Sequence, residues 1–198
     1  DAFAKLALLN DDAERRVKGG IYGKKVASPA TGPVTITRRD CQYIVDGDVL
    51  AAGDICNVYR ATRIEAGKDE VVVLKIARES ADNDLVQREA AALQKLVPKG
   101  TADEKFYRYL PRLIDSFRIP DHAHGPRQVN ILAMHSGFYS LVEVRRAYPN
   151  GILLEDAVWM LNRMLEGLGF VHQHGYVHAA VLPPHVLIHP KDHAARIV

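Results

Sequence analysis

Three strand-like runs in quick succession constrain this chain more than anything else in it. Residues 43–50 alternate apolar and polar side chains, residues 58–64 do so again, and residues 71–77 are almost continuously apolar around Lys75. Gly53-Asp54 separates the first two runs and Glu65-Ala66-Gly67-Lys68-Asp69 the next two. Connections that short join antiparallel neighbours. A helix follows: Ser80 to Asn83 offer cap residues, Leu85, Val86, Ala90, Leu93 and Leu96 form its inner side, and Pro98 and Gly100 end it. Residues 113–119 and 128–134 read as two further strands, joined by a polar loop containing His122 and His124. The expectation is an α+β chain with five strands and one helix inserted after the third.

The remainder is helical in pattern. Residues 140–147 predict a short helix. Residues 154–174 predict a long one, with Ala157, Met160, Leu161, Met164, Leu165, Leu168 and Val171 at helical spacing and Gly175 after its end. Residues 195–198 read as a last short strand. At the other end, Phe3, Leu6, Ala7, Leu9, Ala13 and Val17 give residues 1–23 a helix-like apolar face that Gly19-Gly20 stops. Residues 24–39, with two prolines and no helical period, read as a linker or an edge strand.

Composition excludes more than it assigns. Of 198 residues, 47% are hydrophobic and 25% charged, as in an ordinary globular chain. A net charge of +2 gives no reason to expect a nucleic-acid partner. No run approaches the ~20 apolar residues of a membrane span and no signal peptide opens the chain, so a cytoplasmic location is the default expectation. Two cysteines, Cys41 and Cys56, are too few for a disulfide framework and suit a reducing compartment.

Residues 176–188, Y-V-H-A-A-V-L-P-P-H-V-L-I, carry the most specific signal. They resemble the catalytic loop of the protein kinase superfamily, H-R-D-L-x-x-x-N-V-L-I. His178 matches the His, Ala179 replaces the Arg, Ala180 replaces the catalytic Asp, and His185 replaces the magnesium-binding Asn. A methyl group accepts no proton, and imidazole is a poor ligand for Mg2+, which prefers oxygen. The resemblance runs from about Tyr43 to the last residue and implies a pseudokinase. In that reading residues 1–42 are an extension and linker, 43–136 a five-stranded small lobe with one inserted helix and the hinge, and 137–198 a partial helical large lobe. The metal-binding Asp of D-F-G would fall just after Val198, so the chain reads as a fragment of a longer protein. Residues 1–23 also resemble the tail that follows a J-like region in bacterial proteins pairing such a region with a kinase-like domain.

The resemblance implies a nucleotide site as well. The glycine-rich loop falls on residues 51–58, where Gly53 alone remains of the glycines and Asp54 sets a negative charge near the phosphates. Val72-Val73-Leu74-Lys75 matches the V-A-I-K strand, and Glu89, fourteen positions on, matches the helix glutamate that pairs with the lysine. The bland alternative for Lys75 is snorkelling from a strand end; the order of lysine, spaced glutamate, glycine turn and loop skeleton argues against it. Carried over from the family, Val58, Val73 and Leu187 wall the adenine, Leu132 stands near the gatekeeper, and Ala133 and Met134 lie in the hinge. ATP is then the expected cofactor, without Mg2+ bound in the usual way. A Lys–Glu pair also serves as a plain structural bridge in an empty site.

Three functions remain in competition. They are a non-catalytic regulatory or interaction domain, part of an unconventional active phosphotransferase with its missing groups elsewhere, and a ligand-free structural module. A metal site is the further alternative, because His172, His174, His178, His185, His189 and His193 crowd together. Pro190 breaks helical pairing there and no cysteine lies near, so no metal site is expected. Finally, the long helix is apolar around nearly its whole circumference. A protein partner or second copy is therefore expected on the surface between Trp159 and Phe170.

Overall fold

The computed structural model describes residues 34–121 and 125–198. The helix expected at residues 1–23, and His122 and His124, lie outside the described residues. The chain is α+β and divides into two compact units. Residues 34–91 and 113–134 belong to a sheet unit; residues 92–112 and 135–198 belong to a helical unit.

The sheet unit contains six antiparallel strands: β1 (Val34–Arg38), β2 (Cys41–Ala52), β3 (Cys56–Glu65), β4 (Lys68–Ala77), β5 (Leu113–Ile119) and β6 (Arg127–Ala133). Their spatial order is β1-β2-β3-β4-β6-β5. The third connection is tighter than the sequence suggests. Glu65 pairs with Lys68 across two residues, Ala66 and Gly67, both with positive φ, the twist a tight hairpin needs. The twelve-residue β2 slips register between Val45 and Val49 and again before Ala51, irregularities that bend the sheet. It curls so far that its two edge strands meet through side chains. The Arg38 Nε of β1 donates to Asp115 Oδ2 of β5 at 2.9 Å, and the Arg38 guanidinium stacks 4.4 Å from the Phe117 ring centre. Tyr43, Ala61, Val72, Leu74, Val129 and Ile131 fill the interior of the curl.

The other face of this sheet carries helix α1 (Asn83–Lys95), entered through a 3-10 turn at Ser80–Asp82. Asn83, Val86, Ala90 and Leu93 are its buried side. Leu85, expected on that side, is 48% exposed: Asn83 and Val86 fix the helical phase, and Leu85 then points about 100° away.

In the helical unit, α2 (Thr101–Tyr107), a helix the sequence reading did not anticipate, precedes α3 (Leu141–Ala147) and α4 (Leu154–Gln173). Strands β7 (Tyr139–Ser140), β8 (Val186–His189) and β9 (Ala194–Ile197) form a small antiparallel sheet beside them. Ser140 and Glu143 cap α3 reciprocally, the serine Oγ accepting from the Glu143 N–H and the carboxylate accepting from the Ser140 N–H. On α4, Gly167 has no room for a side chain, since a Cβ there would stand 3.0 Å from the Cβ of Tyr109.

Two expectations need correction. The sheet has six strands rather than five, because of the two readings given to residues 24–39, linker or edge strand, residues 34–38 take the second and pair with Cys41 to Val45. Phe170 does not belong to an exposed surface. It is 2% exposed, packed with Leu96, Leu110 and Val171 and stacked on Phe106 at 5.6 Å. Trp159 is half-buried, and the apolar side chains that α4 does expose are Leu154, Val158, Leu161 and Leu165. No described helix is long and apolar enough to cross a membrane.

Candidate functional site

Strand register brings four of the nine sequence-predicted residues onto one face of the sheet unit. Val58 pairs with Lys75, Lys75 with Asn130, and Asn130 with Ser116; in the neighbouring row Val73 pairs with Leu132. Residues directly opposite across antiparallel strands share a face. Val58, Val73, Lys75 and Leu132 therefore lie together, beside the buried side of α1. Ala133 pairs with Val72 and by alternation belongs to the opposite face, while Met134 follows the end of β6. Leu187 lies in β8 of the helical unit, opposite Arg196 in β9.

Lys75 Nζ and Glu89 Oε1 stand 2.5 Å apart, the pair that the strand lysine and the helix spacing predict. Burial by itself pushes the ammonium pKa down, but the Glu89 carboxylate more than reverses this, and the pKa of Lys75 ends above the ordinary lysine value. Glu89 is held from its other side too. Asn130, fully buried, donates from Nδ2 to Glu89 Oε2 at 3.0 Å and to the Val86 carbonyl at 2.8 Å. Its Oδ1 accepts from Ser116 Oγ at 2.8 Å, and that oxygen accepts from Gln128 Nε2 at 2.7 Å. Asn83 continues the connection, accepting from the Gln128 N–H and donating to the Pro126 carbonyl. The result is an unbroken polar chain from Lys75 through Glu89 and Asn130 into β5. Each buried member is satisfied, the condition under which such networks fix geometry rather than weaken a core.

Sequence reasoning found the charged end of this chain, Lys75 and Glu89, and missed its continuation through Asn130. A polar residue inside the apolar run Val129-Asn130-Ile131-Leu132 was the available signal. An asparagine there must find partners, and helix α1 supplies them.

Gly53, the one glycine left in the aligned glycine-rich loop, is bonded within its own turn. Its N–H donates to the Cys56 carbonyl at 2.9 Å, and its carbonyl accepts from Arg78 at 3.3 Å. A Cβ at this position would stand 3.1 Å from the Cys56 oxygen, so the glycine serves a tight turn. The N–H that would face a phosphate is committed to that turn. Cys56 itself is buried, and burial pushes its thiol pKa up.

In the helical unit, the loop from His178 to His185 closes on its own backbone. The Ala180 carbonyl accepts from the Leu182 N–H at 2.9 Å and faces His185 Nδ1 at 2.8 Å. A carbonyl only accepts, which places the His185 proton on Nδ1. Leu182 accepts in turn from the His185 N–H, and the Val198 N–H donates to the His185 carbonyl, both at 2.8 Å. Ala179 holds a left-handed φ of 58°. Residues 176–188 contain no carboxylate, the side chain that best suits a hard cation.

The crowded histidines have separate occupations. His174 Nδ1 meets the Phe170 carbonyl at 2.8 Å, and His189 Nδ1 accepts from the Asp192 N–H at 3.1 Å. Among the described residues no group of three or more His, Cys, Asp or Glu side chains is placed to hold a metal ion. A scan against protein-family models matches none, and a search of curated proteins finds no match.

Proposed function

We propose that the chain is a kinase-like domain that does not transfer phosphoryl groups, a regulatory or interaction module whose sheet unit keeps an adenine-nucleotide site around Lys75. The observation that carries the reading is the 2.5 Å Lys75–Glu89 pair, braced by Asn130 and flanked by Val58, Val73 and Leu132. Lysine held this way presents a fixed positive charge beside apolar walls, which suits a phosphate-bearing aromatic ligand. Ala180 and His185 support the non-catalytic half, since alanine has no group to accept a proton from a hydroxyl and neither residue offers Mg2+ an oxygen side chain. The row Leu154, Val158, Leu161 and Leu165 of α4 is the surface this reading gives to a protein partner.

Gly53 favours a second reading, a module with no nucleotide at all, because its N–H is spent within its own turn. Calorimetric titration with ATP, in EDTA and again with Mg2+, separates the two. Binding that Mg2+ does not strengthen, and that Lys75→Met weakens about tenfold, supports the first. A folded chain that binds no ATP at millimolar concentration supports the second. Metal-dependent autophosphorylation would overturn both.

A further inference from the structure

The two edges of the curled sheet, β1 and β5, face each other with no backbone ladder between them. Their seam opens into a cavity of about 800 Å3, within the roughly 300–1,000 Å3 of small-molecule sites. Every residue of β1 lines it, and so do Phe117, Arg118 and Ile119 of β5. Beneath it lies the core of the sheet unit. That core ends on Ile36, Tyr59 and Ile119, which pack against the buried cluster while remaining only half-buried. Apolar side chains around an open cavity gain burial when a ligand covers them.

The polar groups at this cavity favour an anion. Arg38, Arg39, Arg118 and Arg127 line it against a single carboxylate, Asp46, which itself lies 3.8 Å from Arg60. Asp115 answers Arg38 at 2.9 Å and Asp121 answers Arg127 at 2.6 Å. Among the described residues Arg39 and Arg118 have no carboxylate partner. Arg127 also leaves its buried Nε without a hydrogen-bond partner. Buried donors are ordinarily satisfied, and a carboxylate can accept from Nε beside the Nη2 that Asp121 takes. The occupant's shape follows from the seam. The Arg38–Asp115 bridge crosses it at the end of β1 and blocks a peptide strand from pairing along it, whereas an alkyl chain needs only apolar walls. The five residues of β1 rise about 13 Å, roughly the length of an extended chain of ten to twelve carbons. We propose that this cavity binds an anionic amphiphile of the fatty-carboxylate class, its chain along the seam and its head group toward Arg127. The cavity shares no residue with the nucleotide reading around Lys75, and by strand alternation its Ile76 faces the opposite side of the sheet from Lys75. Either proposal stands if the other fails.

Dodecanoate, kept below its micelle concentration, is the probe, titrated into the full chain by calorimetry and by amide NMR. A saturable one-to-one isotherm is expected, with amide shifts in β1 and β5 and none along α4, whose exposed leucines are the rival apolar surface. Butanoate should bind at least a hundredfold more weakly for want of chain, and uncharged dodecanol about tenfold more weakly for want of the head group. Arg127→Gln and Ile36→Glu, which sets a carboxylate in the apolar wall, should each weaken dodecanoate about tenfold; only Ile36→Glu should weaken dodecanol. Should neither variant fold, the NMR map of the parent chain decides. Shifts confined to α4, or dodecanol binding as tightly as dodecanoate, would overturn the site. So would a chain that takes up no dodecanoate, the result expected if its own residues or a protein partner fill the cavity.

Discussion

The row around Lys75 and the loop from His178 to His185 treat polar chemistry in opposite ways. In the row, charge is kept, and each charged or amide group has a side-chain partner: Lys75 on Glu89, Glu89 on Asn130, Asn130 on Ser116. In the loop, carboxylate and carboxamide are absent. The shape is maintained by backbone bonds and by one imidazole that donates to the Ala180 carbonyl. The row holds a charged arrangement because its neighbours were supplied with it. The loop holds a conformation that needs no charge.

The sharpest way to break this comparison is at Asn130, where the largest effect is expected. Asn130→Ala removes hydrogen bonds to Val86, Glu89 and Ser116 in a fully buried position and should cost about 3 kcal/mol in urea denaturation. Asn130→Asp should cost more still, since it sets a second carboxylate against Glu89. A loss under about 1 kcal/mol for the alanine variant would mean the row is not a connected network.

The charged pair itself comes next. Glu89→Ala strands Lys75 and takes one acceptor from Asn130, whereas Lys75→Met leaves Glu89 its bond from Asn130. The first should cost about 2 kcal/mol and the second about 1 kcal/mol, both discounted for the partial exposure of the pair. The sign of the pH dependence follows from Lys75. Its folded pKa lies above the unfolded value, so its contribution is fully present below about pH 10.5 and is lost as pH rises through the folded pKa. Thermal denaturation between pH 9 and 11.5 should show this loss in the parent and not in Lys75→Met; equal slopes would remove the pair from the account.

These residues also mark how far the sequence was legible. Period-2 runs and turn residues located β2 to β6 because a sheet's pattern is local, and the fourteen-residue gap from Lys75 to Glu89 carried the pair. Asn130 was passed over because its partners lie on β5 and α1, distant in sequence. The edge strand β1 is weakly patterned, since only Ile36 and Arg38 turn inward, and it is held by its pairing with β2 and by the long-range bridge from Arg38 to Asp115. Leu85 was placed on the wrong side because an apolar residue outweighs Asn83 in any hydrophobic count, although Asn83 is the one that is buried. Phe170 was misplaced for a related reason: a helix apolar on all sides does not announce which side its own chain covers.

In the loop the effects should be smaller. His185→Ala opens the bond to the Ala180 carbonyl and should cost about 1 kcal/mol, with His185→Asn recovering part of it if the amide reaches the same oxygen. The double change Ala180→Asp with His185→Asn should still give no detectable phosphoryl transfer to a generic protein substrate in a radiolabelled ATP assay, because positioned metals as well as a base are required. Transfer by that variant would show that the loop had lost its side chains and nothing else.

The smallest effect expected is at Ala179, and it has the opposite sign. A left-handed φ of 58° sets the alanine Cβ close to its following carbonyl oxygen, at a cost of about 1–2 kcal/mol. Glycine removes that strain, but it also widens the unfolded chain's freedom, a penalty of roughly 0.5–1 kcal/mol. Ala179→Gly should therefore stabilise the chain by about 0.5 kcal/mol in urea denaturation, against losses at every position in the row. The contrast follows from how the two regions are held. Where side chains bear the structure, shortening one leaves partners unsatisfied; where the backbone bears it, removing a methyl group relieves strain. A destabilisation above about 1 kcal/mol would show that the Ala179 methyl is packed, and that this loop too is held by its side chains.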